Sequence, residues 1–178
     1  MCRMDTYSGK RFDPMEIAVE DITIEDIAHA LSLICRGGGH IKYFYSVGQH
    51  SVNCWKEARA RGWTKRMQLI CLLHDAAEAY ISDVVRPVKK YLTNYSEIEG
   101  MIMERIAEKF GLKHLTEDEN RKWRQIDDEV LDYELQALMS GHRERKLPEL
   151  RILPDLSERS WRDVKKEFLE AALSLMKK

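Results

Sequence analysis

The chain has 178 residues, with 29 Lys+Arg against 30 Asp+Glu and a formal net charge of −1 at pH 7. One domain of ordinary size accounts for that length, and it can bury a core without disulfide or zinc staples. With 44% hydrophobic and 33% charged residues the chain is globular rather than disordered, and its near-neutral balance disfavours nucleic acid as the main partner. The four cysteines, Cys2, Cys35, Cys54 and Cys71, include no C-x-x-C pair. A zinc ribbon is therefore excluded, and the thiols are expected to stay unpaired in a reducing cytoplasm. The N-terminal segment has no apolar signal region, and no run approaches the ~18 apolar residues of a membrane span. The expectation is a cytoplasmic protein with no membrane partner.

Helical periodicity dominates from there on. Residues 5–13 alone suggest strand, as a small hairpin around Ser8-Gly9. Residues 21–35 place Ile24, Ile27, Ala28, Leu31 and Ile34 on one stripe, and the run Gly37-Gly38-Gly39 ends it. A second helix is predicted from Ser46 to Gly62, and a third, capped by Thr64, from Lys65 to Tyr80. Asp83 to Pro87 reads as a turn, followed by a short basic helix to Tyr91. Ser96-x-x-Glu99 and Thr116-x-x-Glu119 are capping-box patterns. They open helices closed by Gly111 and Gly141. After a loop with Pro148 and Pro154, Trp161, Val164, Phe168, Ala171 and Leu175 mark a terminal helix. The fold class is all-α, a bundle of about six helices in a single domain over residues 1–178. Its core lies at about 20–141 and its C-terminal helix at about 157–178. The basic run from His142 to Lys146 reads as a solvated loop.

Three segments can carry chemistry. SVGQHS (46–51) puts His50 on the apolar side of the second helix, LLHDAAEAYISD (72–83) puts His74-Asp75 in the most apolar helix, and QIDDEVLDYE (125–134) carries Asp127. Burying an aspartate in an apolar helix costs several kcal/mol unless a cation or hydrogen bonds compensate, and a metal does so well. Glu78 follows His74 by four residues, one turn along the same predicted face. His29, His114 and His142 read as structural core histidines.

His50, His74-Asp75 and Asp127 together resemble the H…HD…D signature of the HD-domain metal-dependent phosphohydrolases. HDAAEAYISDVVRPVKKY is similar to the HD-x-x-E-x-x-x-x-D-x-x-x-P-x-K block of the 5′-deoxynucleotidase branch. YSVGQHS resembles the first-histidine motif of that branch and of related dNTP-hydrolysing proteins. TYSGKRFD and IEDIAHALSLICRGGGH extend the likeness, which runs from about residue 5 to residue 140. The resemblance implies an HD-domain helical bundle in which His50, His74, Asp75 and Asp127 ligate one divalent ion. Asp127 rather than Asp128 is implied by the frame, since the family's aspartate is followed seven residues later by a glutamate, here Glu134. Glu78 matches the catalytic carboxylate beside the metal-bound water. Asp83 matches a sugar contact, and Lys89 and Arg36 match basic positions near the phosphate. His40, after the glycines, either approaches a phosphate or bonds its own loop.

Two imidazoles and two carboxylates suit Mn, Co, Fe, Ni or Zn, and Mg less naturally. The implied function is a 5′-(deoxy)nucleotidase acting on nucleoside monophosphates. The alternatives are a dNTP triphosphohydrolase with the same metal and a non-catalytic nucleotide sensor. The partner is then a small nucleotide, and assembly into a homo-oligomer is left open. Gly37 stands where family members that exclude ribonucleotides can carry a tryptophan, and Ser82 stands where glycine is usual.

Overall fold

The computed structural model describes residues 3–141 and 146–177, so Cys2 and residues 142–145 of the basic run lie outside the described residues. A two-stranded antiparallel hairpin opens the chain, β1 (Met4–Asp5) pairing with β2 (Arg11–Phe12). Short 3-10 turns lead into α1 (Ile24–Leu33), α2 (Val47–Ala60), α3 (Lys65–Leu73) and α4 (Glu78–Ile81). The chain continues through α5 (Arg86–Lys89), α6 (Tyr95–Lys109), α7 (Glu117–Leu138) and α8 (Trp161–Met176). The fold is all-α with a small N-terminal hairpin, as the periodicity predicts. No helix among the described residues is long and apolar enough to cross a membrane.

Side chains that satisfy free N–H groups set the helix starts. Thr23 accepts from Asp26, Ser46 from Gln49, Thr64 from Met67 and Thr116 from Glu119, and the Glu119 carboxylate bonds back to Thr116. Each such cap contributes about 1 kcal/mol. The Ser96-x-x-Glu99 pattern forms no cap. Helix α6 begins at Tyr95 without a side-chain cap, because Lys89 Nζ draws the Glu99 carboxylate to 2.7 Å. Helix α7 stops at Leu138, short of Gly141, and α8 begins at Trp161 rather than near 157.

The predicted third helix is also broken. Beyond Leu73 the hydrogen bonds tighten to three-residue steps, Ala76 to Leu73, Glu78 to Asp75 and Tyr80 to Ala77, so His74 to Ala77 form turns before α4. Such tighter winding redirects side chains relative to a continuous α-helix.

Helix α2 is central and packs against α1, α3, α7 and α8. Its apolar side meets Ile27, Leu31, Leu72, Ile126 and Phe168, all fully buried. A second, polar stripe of Gln49, Asn53 and Glu57 is buried as well. This stripe receives the segment between α7 and α8 as an extended strap. Both Glu57 oxygens accept the Arg151 N–H at 3.0 Å, and Oε2 also accepts that of Ile152 at 3.0 Å. Asn53 exchanges bonds with the Asp155 backbone, and Gln49 donates to the carbonyls of Asp155 and Ser157. Residues 157–160, predicted as helix, belong to this strap region.

Close approach of α1 and α2 depends on Gly48. A Cβ there would stand 3.1 Å from the Leu31 carbonyl carbon and 3.1 Å from Ser32 N, backbone atoms that cannot rotate away. Gly48→Ala is expected to destabilise the fold by about 1–3 kcal/mol, the usual range for overpacking, as read from urea unfolding.

Asp26 ties the hairpin to α1. Its carboxylate accepts from Ser8 N at 2.7 Å, Ser8 Oγ at 2.7 Å, Thr23 Oγ1 at 2.8 Å and Thr6 Oγ1 at 3.0 Å. Burial alone would raise its pKa, but these donors outweigh burial and hold it below the ordinary 3.8. A depressed carboxylate stabilises the fold fully above the unfolded value and loses that contribution as pH falls through the folded one. The stability gap between the protein and Asp26→Asn should therefore stay constant above about pH 5 and shrink below about pH 4, measured by thermal unfolding across pH.

Candidate metal and substrate site

Four segments converge at one end of the bundle: the Arg36–Gly39 turn, the first half of α2, the break after α3 and the middle of α7. His50 is fully buried, Asp127 nearly so, and Asp75 half-buried. His50 Nε2 lies 3.2 Å from His74 Nε2 and 3.2 Å from Asp127 Oδ1, and 3.8 Å from Asp75 Oδ2. His74 Nε2 lies 3.3 Å from Asp75 Oδ2 and 3.7 Å from Asp127 Oδ1. The structure thus brings together the four side chains that the sequence separates by up to 77 positions.

The outer nitrogens fix which imidazole atoms face inward. His74 Nδ1 donates to the Cys71 carbonyl at 2.8 Å, and His50 Nδ1 donates to Glu134 Oε1 at 2.6 Å. A carbonyl or carboxylate can only accept, so in the neutral rings both Nε2 atoms present lone pairs to the cluster. That is the arrangement by which metal-binding histidines are usually oriented. Two lone pairs and two carboxylates facing one another demand positive charge. Protons can supply it. Burial and Arg36 oppose the His50 charge, yet Glu134 and Asp127 raise its pKa, and Asp75 and Asp127 raise that of His74 well above normal against burial. Burial would raise Asp75 and Asp127 too, but His74 and Arg36 hold the first, and His50 and His74 the second, far below the usual carboxylate range.

Glu134 enters the sequence reading only as a frame marker, and it proves to be a hub. Its carboxylate accepts from His50, from Tyr45 OH at 2.8 Å and from Arg36 Nε at 2.8 Å. Despite burial, the Arg36 and His50 charges hold its pKa down to about 2. Asn53 Nδ2 donates to the Tyr45 hydroxyl at 2.9 Å, so a chain of hydrogen bonds runs from the strap through Asn53, Tyr45 and Glu134 to His50.

A cavity of about 590 Å³ opens onto the cluster. Asp75, Glu78, Asp83 and Asp127 line it, together with the apolar Ile41, Leu131, Leu135 and Leu138. Arg36, Lys89 and His40 also face it. Arg36 points back into the cluster, with NH1 3.4 Å from Asp75 and NH2 3.2 Å from His50 Nε2. Glu78 keeps one carboxylate oxygen, Oε2, buried without a partner. Burial, then the Asp75 and Asp83 charges, push its pKa up to about 9. Asp83 Oδ2 accepts the Gly37 N–H at 2.9 Å, so at least one of its oxygens holds the glycine loop. Gly37, Gly38 and Gly39 all have positive φ, which explains three glycines in a row. Lys89 bridges Glu99 and Glu78 at 2.7 and 3.5 Å, and His40 is exposed.

The sequence reading misses two neighbours of the cluster. Arg86 NH2 donates to Asp127 Oδ2 at 2.6 Å while NH1 binds Asp128 at 2.7 Å, so Asp127 turns inward and Asp128 stays exposed. The pair Arg86-Pro87 gives the only sequence hint, a cation fixed by a proline at a helix start. Cys54, expected only to stay unpaired, places Sγ 3.5 Å from His50 Nε2. Donor atoms of His50, Cys54 and His74 lie within 4.8 Å of one another, a buried group able to hold a metal ion. Of the remaining histidines, His29 stacks on Tyr7 at 3.7 Å, while His114 is exposed at a left-handed turn rather than in the core.

Ser82, just before Asp83, has φ 68° and ψ 163°, a conformation open almost only to glycine. Its N–H is held by the Glu78 carbonyl and its carbonyl by Tyr95 OH. Ser82→Gly is expected to raise stability by about 1 kcal/mol, strain relief exceeding glycine's added unfolded-state entropy, as measured by urea unfolding.

No family model matches the chain. It is 42% identical over 112 residues to the uncharacterized protein YfdR of Escherichia coli, covering 63% of this chain and 60% of that protein. It is 38% identical over 111 residues to an uncharacterized protein of Rhodobacter capsulatus, covering 59% and 56%. The chain therefore spans less than two thirds of the length of either curated relative, and neither description names an activity.

Proposed function

We propose that the chain is a divalent-metal-dependent phosphohydrolase of the HD-domain type, acting on nucleoside 5′-monophosphates. The observation that carries this reading is the spacing of the donor atoms of His50, His74, Asp75 and Asp127. The five measured separations run from 3.2 to 3.8 Å. Atoms bound to one ion at about 2.0–2.2 Å stand roughly 3.0–3.6 Å apart. A divalent ion held there supplies Lewis acidity to a phosphoryl oxygen and an acidified water.

The residues around it divide the remaining work. Glu78, at the start of α4 with a free buried oxygen, would take the proton of the attacking water once the charge of a bound ion brings its raised pKa back down and ionises it. The water oxygen bonds to phosphorus, the ester P–O bond breaks, and the proton passes to the departing 5′ oxygen. Arg36 offers a fork of donors to the phosphate and Lys89 a point charge. The apolar lining of the cavity accepts the base, and its size suits a nucleoside. Among the described residues the cavity's cations are Arg36, Arg86 and Lys89, each ion-paired with carboxylates. That charge suits one phosphate better than three, which favours a nucleotidase over a triphosphohydrolase.

A screen of dAMP, AMP and dATP with Mn, Co and Mg tests the reading. Phosphate release from the monophosphates, abolished by chelation, is the expected result. Triphosphate release from dATP alone would move the assignment to the triphosphohydrolases, and ligand binding without turnover to the sensors. Glu78→Gln should keep metal binding and lower turnover by ~10²–10⁴-fold. Near-normal turnover in that variant would remove Glu78 from the chemistry.

A further inference from the structure

Cys54 has no role in the reading above, yet its thiol touches the cluster. It lies four residues after His50 on α2, so both side chains project from one helix face. Its Sγ is 3.5 Å from His50 Nε2, the atom that also faces His74 and Asp127. Cys54 is 1% exposed and lines neither of the two cavities that reach the cluster, whereas Asp75 and Asp127 line both. The thiol thus approaches from the core side, leaving the cavity side free.

We propose that Cys54 is a ligand of the bound ion, its thiolate completing the set from the buried side of His50 and His74. The inference rests on the metal site proposed above. Zinc–sulfur bonds of about 2.3 Å and zinc–nitrogen bonds of about 2.0–2.1 Å put sulfur and nitrogen roughly 3.1–3.6 Å apart, and the observed separation falls in that range. In the absence of an ion the thiol is neutral beside the ring: burial, then the Asp127 and Glu134 charges, raise its pKa well above normal. On coordination the S–H bond breaks, sulfur keeps the electron pair and donates it to the ion, and the proton passes to solvent. A thiolate shifts the preference of the site from magnesium and manganese towards zinc, cobalt or iron.

The test is the absorption spectrum of the full chain loaded with Co(II). A sulfur-to-cobalt charge-transfer band in the near ultraviolet, beside the visible bands of the bound ion, is the expected result. Cys54→Ser and Cys54→Ala should lose the band and bind Co(II) at least roughly tenfold more weakly. If neither variant folds, the chain carrying Cys2→Ser, Cys35→Ser and Cys71→Ser together should keep the band, with Cys54 as its only thiol. Visible bands without charge transfer would overturn the Cys54 assignment while leaving the four-residue site standing. A band that survives Cys54→Ser would overturn it too. No cobalt bound at all would remove the metal site and this ligand together.

Discussion

The buried Glu134 carboxylate holds the functional end of this molecule in register. Three elements distant in sequence donate to it: α2 through His50, the segment before α2 through Tyr45, and the glycine turn through Arg36. Removing one partner of a buried, hydrogen-bonded charge costs more than a surface pair contributes, because the other is left uncompensated. Glu134 therefore fixes the orientation of the His50 ring, the angle at which Arg36 enters, and the packing of α7 on α2. Arg86 does the same work on the opposite side of Asp127, holding the oxygen that does not face the imidazoles.

The cluster concentrates opposing charges in little space. Asp75, Asp127 and Glu134 meet Arg36 and two imidazoles, and Glu78 meets Lys89, around one cavity. Without an ion, protonated histidines and Arg36 balance the carboxylates. An ion would displace those protons and compete with Arg36 for Asp75 and Asp127.

Local physics was legible in the sequence where it stayed local. Thr116-x-x-Glu119 forms its capping box because both partners lie within one turn. Ser96-x-x-Glu99 does not, because Lys89, a tertiary neighbour, takes the glutamate. The break at His74 to Ala77 was hidden by alanines that favour helix. It follows instead from the three-residue winding that leaves the His74 Nδ1 bonded to Cys71. His50, His74, Asp75 and Asp127 could be named together only through resemblance to a family pattern, since periodicity says which side is buried but not which helices meet. Arg86 and Cys54 stayed invisible for the same reason, and so did the strap, whose partners on α2 are separated from it by about a hundred positions.

The strap carries a temporal consequence. Asn53 waits for the backbone of Asp155, 102 residues downstream, and Glu57 for that of Arg151, 94 residues downstream. At a ribosomal rate of ~5–20 residues per second, that delay is roughly 5–20 s. Throughout it, the polar stripe of α2 lacks the strap, with Arg61 beside Glu57 and the Tyr45 hydroxyl beside Asn53 as its partners within reach. The half of the chain carrying His50, His74 and Asp75 is thus synthesised first and locked last. A nascent chain cannot complete the hydrogen-bond chain behind His50 before residues 151–157 have left the ribosome.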